Sequence, residues 1–149
     1  MRYIVVPIRA LAPEPEREPP PAEPEHALGH WVAAARASLD ACLVVDAGGT
    51  VAALSPTAAD LLGTHSSDLV GRHLDEALVL VDFTDVALEA RGNDRRIPPL
   101  IAVRENSLSR GMMRLRRPDG HRLMLDAVAA PIHDEERKPI GAVSFLASI

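Results

Sequence analysis

The pattern of apolar and polar residues predicts a helix followed by a β-hairpin in the first third of the chain. Between residues 26 and 40, apolar side chains recur at the spacing of one helix face, which predicts an amphipathic helix that packs on another element. Two short runs rich in β-forming residues, 42–46 and 51–54, then flank a glycine turn at 47–50, as in a hairpin. The apolar helix positions are Leu28, Trp31, Val32, Ala35 and Leu39.

The middle of the chain predicts several short helices. Ser55 supplies a capping hydroxyl, Pro56 suits the first helical position, and Gly63 suits a helix end. A second short helix is predicted over 67–70, and mixed short helices are predicted between 72 and 90 before the polar break at 91–94. A further helix is predicted to begin at Pro98 and extend to 108, with Gly111 beyond its end.

Three strands are predicted at the carboxyl end, over 112–117, 122–132 and 140–146. Turn-forming residues at 118–121 and 133–139 join them. Two strands, then short helices, then three antiparallel strands predict an α+β fold with one five-stranded antiparallel sheet and helices on one face.

The first 25 residues differ in composition from the rest. Residues 1–10 form a strand-like segment, and residues 11–25 are rich in Pro and Glu, which favours an extended polyproline II linker. A tethered apolar strand adds to the edge of a sheet, or else it remains an unpaired terminus. The predicted organisation is therefore segment 1–10, linker 11–25, helix 26–40 and a domain over 41–149.

Composition and charge exclude several classes of protein. The chain has 149 residues, a net charge of −5 and one cysteine, Cys42. A nucleic-acid-binding protein normally carries a basic surplus, so we expect no nucleic acid partner. No apolar run is long enough to span a bilayer, Pro7 and Arg9 interrupt the only signal-like stretch, and Cys42 has no disulfide partner. We therefore expect no membrane partner and a cytoplasmic location.

Six short segments, in order, resemble the PAS domain family of sensor and interaction modules. The resemblance covers residues 38–146 and implies the PAS fold and a signalling role. Ser55 stands where the family often has Asn, and the chain ends with residues 146–149 where relatives continue into a signalling helix. We therefore expect a stand-alone module that acts by non-covalent association, or else a fragment of a longer protein. The segments are Leu43-Val44-Val45-Asp46 with Gly49, Ser55-Pro56-Thr57-Ala58-Ala59 with Leu62-Gly63, Leu69-Val70-Gly71-Arg72, Arg117-Pro118-Asp119-Gly120, Ala130-Pro131-Ile132-His133-Asp134 and Ile140-Gly141-Ala142-Val143.

The resemblance does not extend to the family's flavin and haem motifs. Flavin-binding relatives carry a reactive cysteine within an Asn-Cys-Arg helix motif, whereas Cys42 lies on a predicted strand. Haem-binding relatives use a helical histidine, and the helix predicted from Pro98 contains none, which leaves only His65 and His73 as weak candidates. Flavin and haem are therefore not expected, and neither is a metal site.

No constellation of catalytic residues is present in the sequence. It contains no GxSxG, Walker or HExxH motif, and Asp46, Asp119 and Asp134 fall at turns, where carboxylates usually cap the backbone. We therefore expect no enzymatic activity.

Family ligands lie between the helices and the inner face of the sheet, and strand alternation predicts which side chains would surround such a ligand here. Next to Ala127 and Ala129, either a small apolar ligand fills the space or the helices close on the alanines, because an empty cavity is destabilising. The sequence therefore does not determine whether a ligand or cofactor is bound there, or which one. The predicted lining residues are Leu100, Ile101, Val103, Met113, Leu115, Leu125, Ala127 and Ala129.

The function expected from this resemblance is signal sensing or protein association. We expect a homodimer, with helix 26–40 and its Trp31 on the outer face of the sheet, and a separate signalling protein as a further partner. The alternative is a small-molecule carrier that uses the apolar pocket. Arginines at 114, 116, 117 and 122 make the predicted hairpin basic, which suits an acidic partner or simply a solvated strand face.

Overall fold

The computed structural model describes residues 24–82, 87 and 95–149. The predicted segment 1–10, linker residues 11–23 and the polar break at 91–94 lie outside the described residues, as do residues 83–86 and 88–90. The last two residues of the predicted linker, Pro24 and Glu25, belong to a helix. That boundary was wrong because proline at the first helical position starts a helix as readily as it continues an extended segment.

Six antiparallel strands form one sheet, and five helices surround it in the described part of the chain. The sheet order is β2-β1-β6-β5-β4-β3. The α+β prediction is confirmed, with one more strand than the five predicted. In chain order the elements are α1 (Pro24–Ala37), β1 (Cys42–Asp46), β2 (Val51–Leu54), α2 (Pro56–Leu62), α3 (Ser66–Leu69), α4 (Leu74–Ala77), β3 (Val79–Leu80), α5 (Pro98–Glu105), β4 (Ser109–Arg116), β5 (Arg122–His133) and β6 (Pro139–Ser148).

The additional strand is β3, which pairs with the end of β4. Val79 lies opposite Arg116, and Leu80 lies opposite Leu115. A two-residue strand has no periodicity of its own, so the sequence pattern gives no sign of it.

Helix α1 is shorter at its carboxyl end than predicted. The backbone N–H of Ser38 donates to the carbonyl of Ala35 (3.2 Å), and the Ser38 hydroxyl accepts from the N–H of Asp40 (3.1 Å). This turn ends the helix, because serine side chains bond to the nearby backbone in non-helical conformations. Leu39 is consequently 91% exposed, and its assignment to the apolar helix face was wrong.

Helix α5 also ends earlier than predicted. Asn106 adopts a left-handed conformation (φ 50°) and ends the helix, and Gly111 lies inside β4. Asparagine tolerates this conformation better than most residues. Its side chain also bonds to the ring of His133 and, at 3.5 Å, to the carbonyl of Arg137, which fixes the end of α5 against the β5–β6 turn.

The sheet is buried on both faces along β1. Leu43 and Val45 point into the main core with α2, α3, α4 and α5, whereas Cys42 and Val44 belong to a second cluster beneath α1. A strand covered on both sides is expected to read as a continuous apolar run rather than an alternating one. Helix α1 therefore covers only the part of the outer face that lies over β1, β2 and the adjoining ends of β5 and β6.

Candidate functional site

The residues predicted to surround a ligand meet on the inner face of the sheet. Leu125, Ala127 and Ala129 of β5 are fully buried, and Met113 and Leu115 of β4 are almost so. These residues share one core cluster with Leu100 of α5, and Val103 packs against that cluster. The eighth predicted residue, Ile101, is half-buried. Sequence alternation therefore placed these strand residues on the correct face.

Helix α5 packs closely on this face. Ala102 of α5 is fully buried, like Ala127 and Ala129 of β5, and α5 contacts β4, β5 and β6. Small side chains on both surfaces allow a helix backbone to approach a sheet closely. This arrangement favours the alternative in which the helix closes on the alanines.

A cavity of about 80 Å³ lies further along the sheet, between the short helices and the β4–β5 hairpin. Its walls are mainly leucines from α2, α3 and the segment after α4 on one side, and from β4 and β5 on the other. The described residues that line it also include three arginines, Thr64 and Pro118 but no acidic residue. The sequence analysis did not predict this cavity. Of the eight residues predicted to line a pocket, Leu115 alone lies in its wall. The leucines are Leu62, Leu69, Leu78, Leu115 and Leu123, and the arginines are Arg72, Arg116 and Arg117.

Arg117 is held at the cavity by a turn and by a glycine. Its Nη2 lies 3.4 Å from Oδ2 of Asp119, and its Nε is buried and has no hydrogen-bond partner among the described residues. The backbone N–H of His121 donates to Asp119 (2.9 Å) and lowers the pKa of that carboxyl below its ordinary value. The guanidinium occupies the space that a side chain at Gly63 would need, since a Cβ there would lie 2.7 Å from Nη2.

The outer face of β4, β5 and β6 carries a surface of mixed character that none of the described elements covers. Strand register places Phe145 beside Val128, and Met112 beside Asp126. Phe145 is 46% exposed and Met112 is 68% exposed. Arg110 and Asp126 form a bidentate ion pair within it, at 2.7 Å and 3.2 Å. We call these five residues, with Met124 and Ala147, the outer-face strip.

The ion pair changes the titration of both of its members. The hydrogen bond between Arg110 and Asp126 lowers the pKa of the carboxyl and raises that of the guanidinium from their ordinary values. Because the pKa of Asp126 is lowered, its carboxyl stays ionised at pH values where an ordinary aspartate takes up a proton. The ion pair is lost only as the pH falls through this lowered pKa. The strip therefore carries one positive and one negative charge at neutral pH.

A family model described as "PAS domain" matches residues 39–149. The chain belongs to the PAS domain family. No curated protein matches it at a significant level.

Two solved PAS domains and a solved LOV protein share the fold of this domain. The PAS domain of a Colwellia psychrerythraea protein has a TM-score of 0.59 at 21% identity, covering 82% of this chain and 96% of that one. The PAS domain of an HTR-like protein from Haloarcula marismortui has a TM-score of 0.56 at 17% identity, covering 84% and 93%. A LOV protein from Rhodobacter sphaeroides has a TM-score of 0.64 at 14% identity, covering 83% and 67%. Identities this low show the shared fold alone.

The residues considered for cofactors lie apart in this PAS domain. Cys42 is buried beneath α1, on the opposite face of the sheet from the inner core. His65 is exposed before α3, and His73 caps α4 by accepting the N–H of Asp75 at Nδ1 (3.2 Å). Across the part of the chain that the structure describes, no three His, Cys, Asp or Glu side chains form a group suited to a metal ion. In that same part, none of the helices has the length and apolar character needed to cross a membrane.

Proposed function

We propose that this PAS domain is a signal-sensing or protein-interaction module that acts as a homodimer through its outer-face strip. The observation that carries the proposal is the exposure of Phe145 and Met112 on an otherwise regular sheet face. Exposed apolar side chains bordered by polar groups are typical of a protein interaction site. Members of the family sense signals or bind other proteins, and the proposal assigns that role to a specific surface of this chain.

The position of the strip relative to α1 supports an interface there. Phe145 pairs with Cys42, which lies in the cluster beneath α1. The uncovered strip therefore begins where the cover of α1 ends, and α1 itself leaves Trp31 42% exposed. A partner on the strip would extend the apolar cover that α1 provides.

The charges of the strip support a second copy of this chain as the partner. In a two-fold symmetric dimer the same surface meets itself, so a suitable surface is self-complementary. The strip contains Arg110 and Asp126 side by side. A two-fold axis that passes close to this pair would set the arginine of one copy towards the aspartate of the other, with apolar side chains around both.

Substitution of Phe145 by Glu is expected to convert the dimer to a monomer. A carboxylate at position 145 would lose hydration in the dimer, and the arginine of the strip, Arg110, is already paired with Asp126, which weakens dimerisation about 30-fold or more. Multi-angle light scattering of the full chain at tens of micromolar measures the change. The matched control is Leu108→Glu, because Leu108 is also exposed (70%) but lies after α5 rather than on the strip. A monomeric parent chain, or equal effects of the two substitutions, would contradict the proposal.

The carrier alternative makes the opposite prediction about the inner face. If α5 is packed on the alanines as we propose, Ala129→Leu overfills the core and lowers the free energy of unfolding by about 1–3 kcal/mol. If a pocket for a small apolar ligand exists there, the larger side chain fills it at little cost. Urea unfolding measures the difference, with Ala33→Leu on the exposed surface of α1 as the control. An unchanged unfolding midpoint for Ala129→Leu would favour the carrier.

We also propose a cytoplasmic location and a separate signalling protein as a further partner. A reducing compartment suits the one free thiol, Cys42, which is buried in the second cluster. The proposal includes no enzymatic reaction. Its output is association between chains, which the light-scattering experiment reads directly.

A further inference from the structure

We infer that the cavity between the short helices and the β4–β5 hairpin binds a small organic carboxylate with a short apolar tail. Binding itself does not depend on the proposed homodimer, and only its use as a signal would rest on the proposed sensory function. The inference comes from the combination of an apolar interior with arginines and with no carboxylate among the described lining residues.

The apolar walls fix the size and character of the tail. Leucine side chains from both sides of the cavity face one another across about 80 Å³. That volume is larger than one water molecule needs and suits a short tail of roughly three carbon atoms. Water gains few hydrogen bonds from leucines, so displacement by an apolar tail is favourable.

The arginines fix the charge of the head group. Guanidinium groups bind carboxylates through charge-assisted and often bidentate hydrogen bonds. Arg117 is partly withdrawn from water, with 31% of its side chain exposed, and its nearest carboxylate at Asp119 makes only one ion-pair contact, at 3.4 Å. Arg72 donates from Nη2 to the backbone carbonyl of Glu76 (3.1 Å), so the acceptor in this hydrogen bond is a neutral group and not a carboxylate. Both side chains therefore retain donors for an anion.

The cavity lies between two parts of the domain, the short helices and the β4–β5 hairpin. Leu62 and Leu69 come from α2 and α3, whereas Leu115 and Leu123 come from the hairpin strands. A ligand that contacts both groups would tie the hairpin to the helices. Amides on both sides should therefore respond to the same ligand.

The test uses butyrate as the probe and two-dimensional amide NMR spectra of the full chain. Butyrate is expected to bind with a Kd of about 1 mM, a value suited to so small a ligand. The shifted amides should include Thr64 and Leu78 on the helical side and Leu115 and Leu123 on the hairpin side. Butanol has the same tail without the charge, and inorganic phosphate has charge without a tail. Both are expected to bind at least about tenfold more weakly than butyrate.

Two variants connect the binding to the arginines. Arg117→Gln and Arg72→Gln are each expected to weaken butyrate binding about tenfold while retaining the amide spectrum of a folded domain. The matched control is Arg36→Gln, which removes the same charge from the exposed end of α1. Using two arginine variants keeps the test decisive if one of them fails to fold.

Several results would overturn the inference. These are no shifted amides at butyrate concentrations up to about 20 mM, equal binding of butyrate and butanol, or equal shifts from phosphate. An equal loss of binding in Arg36→Gln would also overturn it, because a general charge effect would then account for the result. A monomer in light scattering would count against the proposed homodimer and would leave this binding result unaffected, so the two failures are distinguishable.

Discussion

Substitution of Gly141 by Ala is expected to lower the free energy of unfolding by about 3 kcal/mol or more. Gly141 is a buried residue of β6 that lies opposite Asp46 of β1. A Cβ at this position would overlap the carbonyl oxygen of Val45 and would lie 2.9 Å from Cδ1 of Leu28. The Val45 carbonyl belongs to the backbone of a neighbouring strand in the middle of the sheet, so relief requires the two strands to separate. Urea unfolding followed by circular dichroism measures the loss.

The control for this prediction is the same substitution at Gly29. A Cβ at Gly29 would meet no atom of the described residues within 4 Å, because Gly29 lies on the exposed side of α1. Alanine is a better helix former than glycine, so Gly29→Ala should raise the free energy of unfolding by about 0.5–1 kcal/mol. If Gly141→Ala were as stable as the parent chain, the close packing of β1, β6 and α1 described above would be wrong.

Substitution of Ser55 by Ala is expected to lower the free energy of unfolding by about 2–3 kcal/mol. The fully buried hydroxyl of Ser55 donates to the carbonyl of Asp40 (2.6 Å) and accepts from the N–H groups of Cys42 (3.0 Å) and Ala58 (3.1 Å). Alanine would leave these three backbone groups without that partner where little water reaches. The urea midpoint should fall while the dependence of stability on urea stays unchanged.

Thr57→Ala is the matched control for Ser55→Ala. The Thr57 hydroxyl also donates to a backbone carbonyl, that of Leu39 (2.8 Å), but this bond is exposed to solvent. Water replaces an exposed hydrogen bond readily, so a loss of at most about 0.5 kcal/mol is expected. Equal losses in the two variants would contradict the role of Ser55 in joining α2 to the start of β1.

The sequence predicted elements correctly where the decisive residues are neighbours in the chain. The hairpin of β1 and β2, the cap at Ser55 and the end of α2 at Gly63 were all predicted and are present. Gly63 has a φ of 69°, a conformation that glycine adopts without strain. The inward residues of β4 and β5 were also predicted, since strand alternation has a fixed period of two.

Predictions failed where the outcome depends on residues distant in the sequence. The end of α5 at Asn106 is fixed in part by contacts to His133 and Arg137, about thirty positions later. Strand β3 forms because Val79 and Leu80 pair with the outer edge of β4, at Arg116 and Leu115. The arginine-lined cavity combines short helices with a hairpin that follows them by more than thirty residues. Sequence spacing does not report such distances.

The sequence by itself determined the class of fold, the family and the face to which each long strand turns its apolar side chains. The fold class and the inward faces of the strands follow from local dihedral preferences and from the period of the apolar pattern, which operate within a few residues. The family follows instead from the resemblance of six ordered segments. Only the tertiary structure decided that α1 leaves part of the outer face uncovered and that Arg117 borders a cavity beside Gly63. Both features depend on where separate elements come together, because packing distances between surfaces are set by all contacting side chains at once.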